Sequence, residues 1–416
     1  MNRCLAALFS LLLPTLAALA NTSAAVKTAH ARHLRHVFII VLENKDYEDT
    51  FVTSKQDPYL QKTLPSMGAL LTNYYGTGHA SLDNYIAIIS GQASSLDTQA
   101  DCEQFTDFAL EKVDADGQAV GNGCVYPARI KTLADQLEAA HLTWKGYMED
   151  MGNDPARESA TCGHPALNAK DPTQAAEKPS AALPAGDQYA ARHDPFVYFH
   201  SIIDGAACAA KVVNLSALPG DLQAVSTTPN FAFITPNLCN DGHDGDGTGT
   251  SKRRCADGSP GGLTSTDAFL KLWVPKILNS PAYRKDGLLI ITFDEGNFSP
   301  PQSSSDPATG RTTLTIEAAG EHCCGQRIGP NVTRPLAETF VDSPTETFVV
   351  KTQGYGGDRI GAVLLSRAIK PGTVSDVPYN HYALLKSLEE IYHLGFLGYA
   401  AQPGLEAFGR DVFNRH

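Results

Sequence analysis

Residues 36–44 read HVFIIVLEN. The first seven are apolar at nearly every position rather than every second one, rich in β-branched and aromatic side chains, and too few for a core helix. They read as a strand buried on both faces. The run stops abruptly at two polar side chains, Glu43 and Asn44. Similar runs occur at 230–235 (NFAFIT), 287–293 (GLLIITF) and 360–365 (IGAVLL), while 130–140 (IKTLADQLEAA), 264–278 and 381–394 (HYALLKSLEEIYHL) carry apolar positions at helical spacing. Buried strands alternating with helices predict an α/β fold, with a mostly parallel central sheet flanked by helices.

Two intervening stretches, 150–194 and 297–347, are polar and rich in Pro, Gly, Ser and Ala. They are expected to be long loop or cap insertions from one domain, 36–416, rather than linkers between two. No internal repeat is evident.

The chain has 416 residues, 43% hydrophobic and 19% charged, a balance that excludes disorder as its main state. The formal net charge is −12, with no long block of like charge, which excludes nucleic acid as a scaffold partner. Arg3, an apolar run over 5–13 interrupted by Ser10, and then Ala18-Leu19-Ala20 read as a secretory signal over 1–20, followed by an extension over 21–35. The apolar run is too short to span a bilayer, which takes about 20 residues, so the mature chain is expected to be soluble and secreted or periplasmic, without a transmembrane segment.

Removing the signal removes Cys4 and leaves Cys102, Cys124, Cys162, Cys208, Cys239, Cys255, Cys323 and Cys324. An even count in an exported chain points to disulfides. Cys102 with Cys124 and Cys239 with Cys255 would close short polar loops, and adjacent Cys323 and Cys324 are expected to take two different partners. A zinc cluster is disfavoured by the lack of Cys-x-x-Cys spacing.

Ligands of parallel α/β sheets sit beyond the carboxyl ends of the strands. Glu43 and Asn44 follow the first run, Asp294 and Glu295 follow the third, and Asn237, Asn240, Asp241, His243 and Asp244 follow the run at 230–235. Any one of these could simply cap a helix or turn. Two acidic pairs at two strand ends form a set of oxygen donors with three negative charges, for which one or more divalent metal ions are the natural remedy.

Residues 76–91 (GTGHASLDNYIAIISG) place a Gly-rich turn before an apolar-periodic helix, with Ser81 at its start and Asn84 three residues on. A phosphate is favoured at a helix N-terminus. A Ser81 hydroxyl that also touched a metal would lose its proton more readily and could attack phosphorus, giving a covalent phospho-enzyme. Taken alone, Ser81 reads as an ordinary N-cap. His79, His193, His243 and His381 are candidates to balance phosphate oxygens or protonate the leaving group. Of these, His243 and His193 lead as catalytic groups, His79 and Asp241 join the substrate pocket, and His381 reads as a helix cap.

Six motifs in order over about 36–400, HVFIIVLENKDYEDTF, GHASLDNYIAIISG, RHDPFVYF, TPNLCNDGHD, ITFDEG and NHYALLKSLEEIYHLGFLGYA, resemble those of the phosphoesterase family of bacterial acid phosphatases and phosphatidylcholine-type phospholipases C. That family is similar in fold to the alkaline phosphatase superfamily. The resemblance implies a metal held by Glu43, Asn44, Asp294 and Glu295 and a nucleophile at Ser81. Ser-Leu-Asp-Asn resembles the Thr-Phe-Pro-Asn of related phosphodiesterases, which implies that Asn84 steadies a phosphoryl oxygen and that His193 and His243 belong to the phosphate pocket. Asp83 departs from the Pro common in relatives. The expected function is an exported, metal-dependent phosphoric ester hydrolase working on small phosphate monoesters through a phosphoserine. Phospholipase C or other phosphodiesterase activity on a phospholipid head group is the alternative, favoured less because those relatives usually carry additional C-terminal domains. A secreted binding protein that has lost catalysis is a third reading.

Overall fold

The computed structural model describes residues 33–250, 253–332, 336–343 and 345–415. The signal segment, Cys4 and most of the 21–35 extension lie outside the described residues. Eight strands make the main sheet: β1 (His36–Leu42), β2 (Ala69–Leu71), β3 (Trp144–Met148), β4 (Val212–Asn214), β5 (Phe231–Thr235), β6 (Gly287–Phe293), β11 (Ala362–Ser366) and β12 (Thr373–Ser375). Four more, β7 (Gln302–Asp306), β8 (Arg311–Ala318), β9 (Leu336–Ser343) and β10 (Glu346–Thr352), form a separate sheet within one insertion.

The main sheet runs β12-β2-β11-β6-β1-β5-β3-β4. β1 pairs parallel with both β5 and β6, and β3 continues the parallel array between β5 and β4. β11 is antiparallel to β6 and β2, so the run expected at 360–365 is a strand over 362–366 turned against its neighbours. Every residue of β1, β5, β6 and β11 is buried, as a sheet covered on both faces requires.

The helices expected from periodicity form with modest end shifts: α2 (Leu133–Ala139), α3 (Gly262–Asn279) and α4 (His381–Tyr392). Thr132 caps α2 by accepting from the Asp135 amide, and Asp135 reaches back to the Thr132 amide. The helix that follows the Gly-rich turn, α1 (Ser81–Ser90), is buried along its whole length and packs against α4. Its end is set by Gly91, whose φ of 66° suits a residue without Cβ.

The insertion at 150–194 is irregular apart from a short 3-10 turn at Ala191–His193. The one at 297–347 is no loop. Its strands pair β7-β8-β10-β9, with β8 and β10 parallel and the outer pairs antiparallel. Cys102–Cys124 and Cys239–Cys255 pair as expected, and Cys162 pairs with Cys208. The expectation for the adjacent cysteines is corrected: Cys323 bonds Cys324, since the other six are already paired. No helix of the described residues is long and apolar enough to cross a membrane.

Glu389 of α4 is fully buried, with Oε1 accepting from the Leu397 amide at 2.8 Å. Burial pushes its carboxyl up to about 8, against the lowering effect of that bond and of Lys386. A raised carboxyl stays protonated in the folded chain while the unfolded chain ionises, so stability falls as pH rises from the ordinary glutamate range toward 8. Glu389→Gln should therefore match wild type in Tm near pH 4 and exceed it increasingly toward pH 9. Parallel melting curves across that range would refute the assignment.

Candidate active site

The carboxyl ends of β6, β1 and β5 lie side by side, and short backbone bonds lock the segments that follow them. The Asp294 amide donates to Leu42 O at 2.9 Å, the Glu43 amide to Asp241 O at 2.9 Å, and the Lys45 amide to Glu295 O at 3.1 Å. Side chains far apart in sequence are thus forced into one buried cluster. Asn44 takes a positive φ of 40°, a conformation asparagine tolerates. Its amide group then donates to Glu295 Oε1 at 2.6 Å, while its backbone N–H donates to Asp294 Oδ1 at 3.1 Å.

Ser81 opens α1, and its Oγ donates to Glu43 Oε2 at 2.8 Å. Tyr85, one turn further along the same helix face, donates to Glu43 Oε1 at 2.7 Å. Behind the glutamate, His193 lies with Nε2 3.4 Å from Glu43 Oε1 and Nδ1 3.4 Å from Asp241 Oδ2, its ring stacked on Tyr85.

Burial dominates the electrostatics. It pushes the Glu43 carboxyl well above the usual range, and the charges of Asp294 and Asp241 add to the shift, while the bonds from Tyr85 and Ser81 oppose it. Glu295 is raised well above its ordinary value by burial and then by Asp294. Asp241 is likewise raised, first by burial, and Asp294 is raised by burial to about 6. His193 is driven well below its normal value by burial, helped by Arg192 and His243.

Three of these oxygens, Asn44 Oδ1, Asp294 Oδ2 and Glu295 Oε2, are buried with no hydrogen-bond donor. Leaving such groups unsatisfied is costly. An oxygen-only donor set, desolvated and mutually repelling, fits a hard divalent cation. Ligand atoms of Glu43, His193 and Asp241 also lie within 4.8 Å of one another.

A cleft of about 380 Å³ opens onto the cluster, lined by Asn44, Lys45, His79, Ser81, His243 and Glu295, among others. His79 is nearly buried, with Nε2 2.8 Å from Asp358 Oδ2 and Nδ1 3.5 Å from Glu295 Oε2. Burial raises the Asp358 carboxyl, but the hydrogen bond and charge of His79 outweigh it and hold the group below its ordinary value. His243 faces the cleft half-exposed, with Nδ1 3.0 Å from Asp244 Oδ1. Lys45 donates to Asn44 O at 3.0 Å.

Seven expected residues, Glu43, Asn44, His79, Ser81, His243, Asp294 and Glu295, are therefore gathered at or directly beneath the cleft. His193 and Asp241 lie behind Glu43 and do not line it. Asn84 differs from the role carried over by resemblance. Its Oδ1 accepts from the Thr77 and Gly78 amides at 2.7 and 3.1 Å, and its Nδ2 donates to Gly78 O and Ala80 O. The amide is spent on holding the turn that presents Ser81. Asp83 lies beneath the same turn, accepting from Ser94 Oγ at 2.6 Å and pressed so close to Gly78 that a Cβ there would meet its carboxylate at 2.3 Å. His381 is not the cap of α4, a place taken by Asn380, whose side chain accepts from the Ala383 amide. His381 instead spans Tyr74 OH at 3.0 Å and Asp294 O at 2.6 Å.

Three contributors were not foreseen. Tyr85 was detectable, because it falls four residues after Ser81 on one helix face. Lys45 adjoins Glu43 and Asn44. Asp358 had no signal, since it sits in a Gly-rich loop between two strands.

Crowded buried acids destabilise a fold unless something neutralises them. In chelator at pH 8, Glu295→Gln keeps the acceptor for Asn44 and removes a charge, so its Tm should exceed wild type by a few degrees. A Tm at or below wild type would show that the charge is already compensated.

Among known proteins, the chain is 27% identical over 258 residues to the phosphate-repressible acid phosphatase of Penicillium chrysogenum, covering 62% of this chain and 47% of that one. It is 23% identical over 376 residues to the phosphatidylinositol-3-phosphatase of Mycobacterium tuberculosis, covering 90% of this chain and 83% of that one. The chain spans about half the length of the fungal acid phosphatases it matches. Among solved structures, a protein in the alkaline phosphatase superfamily from Vibrio parahaemolyticus aligns with a TM-score of 0.46 at 11% identity, over 91% of this chain and 72% of that one. The model of the phosphoesterase family matches residues 53–395, most of the chain, and the protein belongs to that family.

Proposed function

We propose that the protein is an exported phosphoric ester hydrolase, acting on small phosphate monoesters through a phosphoserine formed on Ser81. One contact carries the reading: the Ser81 hydroxyl donates to Glu43 Oε2 at 2.8 Å at the N-terminus of α1. Once ionised, that carboxylate can take the hydroxyl's proton, and Ser81 lines the cleft. Four disulfides support an oxidising compartment. The names of the fungal relatives support the substrate class.

In this scheme Ser81 Oγ forms a bond to phosphorus as its proton passes to Glu43 Oε2, while the Tyr85 hydroxyl fixes the same carboxyl through Oε1. The P–O bond to the alcohol breaks, and His243 protonates the departing oxygen. Water then attacks the phosphoserine, giving its proton to His243, and Ser81 recovers its own from Glu43. His79, backed by Asp358, and Lys45 face the non-bridging oxygens. A divalent cation held by Glu43, Asn44, Asp294 and Glu295 would supply, when bound, positive charge that keeps these carboxylates ionised and favours the anionic form of the serine oxygen.

A second reading, hydrolysis of a phospholipid head group, is favoured by the name of the mycobacterial relative. Comparing a soluble aryl phosphate with short-chain phosphatidylinositol 3-phosphate and phosphatidylcholine separates the two, and preference for a lipid would reverse the order.

Ser81→Ala should lower kcat by at least about 10³-fold while the chain stays folded, as loss of a nucleophile does. Unchanged turnover would remove Ser81 from the chemistry. Exhaustive chelation should abolish activity and a single added metal should restore it, whereas activity that survives chelation would count against the proposed ligands.

A further inference from the structure

The catalytic cleft has one wall of a different character. Lining it together with Ser81, His79 and Glu295 are Phe298, Ile316 and Val350. Ile316 lies on β8 and Val350 on β10, and they are direct partners across the parallel pairing of the insertion sheet. Two residues earlier on the same strands, Leu314 partners Phe348. Strand alternation puts all four on one face of that sheet, as two apolar pairs spaced about 7 Å apart along the strands.

All four are only half-buried. Among the described residues, none belongs to the hydrophobic core or packs against it. Cross-strand contact accounts for part of their apolar surface, and the rest forms a stripe that starts inside the cleft and runs outward. A second hollow beyond Lys45, about 410 Å³, is lined by Asp49, Thr53, Ser54, Lys55, Gln56 and Leu263, among others.

We infer that the insertion sheet selects the leaving alcohol: Ile316 and Val350, extended by Leu314 and Phe348, form a track for the apolar portion of the substrate. The preferred ester carries an alkyl chain on the phosphate oxygen rather than a polyol. This rests on the hydrolytic reading above and goes beyond it, because nothing in the bond-breaking chemistry requires an apolar wall.

A series of n-alkyl phosphates from ethyl to octyl, used below their aggregation concentrations, tests it. For wild type, kcat/KM should climb with chain length, mainly through KM, by up to about 4-fold for each methylene buried and at least about 10-fold over the series. Ile316→Ser with Val350→Ser should flatten the series to within about 3-fold. Leu314→Ser with Phe348→Ser, further from the cleft, should remove only the gain of the longer chains, and decides the matter if the inner pair fails to fold. A flat wild-type series, or a gain that survives in the outer pair, would overturn the track and leave the hydrolase intact. A preference for glucose 6-phosphate over octyl phosphate would do the same. Failure of wild type to hydrolyse any ester would sink the hydrolytic reading, and this inference with it.

Discussion

Like charges held together without water are the constraint on which this structure turns. Glu43, Asp294, Glu295 and Asp241 are each almost fully buried, on segments that follow three neighbouring strands. Each would be better solvated elsewhere. They stay because a wholly buried parallel sheet fixes where its strands end, and the backbone bonds linking those segments leave the side chains no other direction. The stability of the apolar layers is what maintains an arrangement that is locally unfavourable, as is common where a site must bind or react.

Around that cluster the chain distributes its polar groups in two shells. The cleft-facing shell carries Ser81, His79, His243 and Lys45. The shell behind fixes it: Tyr85 and His193 hold Glu43, Asp358 holds His79, and Asn84 holds the turn before Ser81. The His193 ring, stacked on Tyr85, packs between Glu43 and Asp241. Such supporting contacts allow a reacting oxygen to be placed to within a fraction of an ångström.

How much of this could be read from the sequence depended on burial. β1 and β6 were legible to the residue because apolar side chains occupy both faces, and the polar pairs after them marked the cluster at once. β3 escaped because Lys145 and Gly146 interrupt its apolar run. The insertion sheet is hidden because its strands are Thr-rich and half-exposed, so their composition matches that of a loop. Contacts made by side chains to backbone were the least legible: nothing in the residues 77–84 says that Asn84 turns inward, and nothing near 358 points to His79. The pairing of Cys323 with Cys324 is hidden for a related reason, since adjacency in sequence says little about which partners remain once the other loops have closed.

The bridge made by His381 has a temporal meaning. It ties Tyr74, near the start of the chain, to the carbonyl of Asp294, and it stands at the head of α4, which packs on the helix bearing Ser81. During synthesis the acidic segments emerge well before that helix does. Until residue 381 has left the ribosome the centre lacks one of its struts, so a nascent or prematurely ended polypeptide carries the reactive groups without the frame that aligns them.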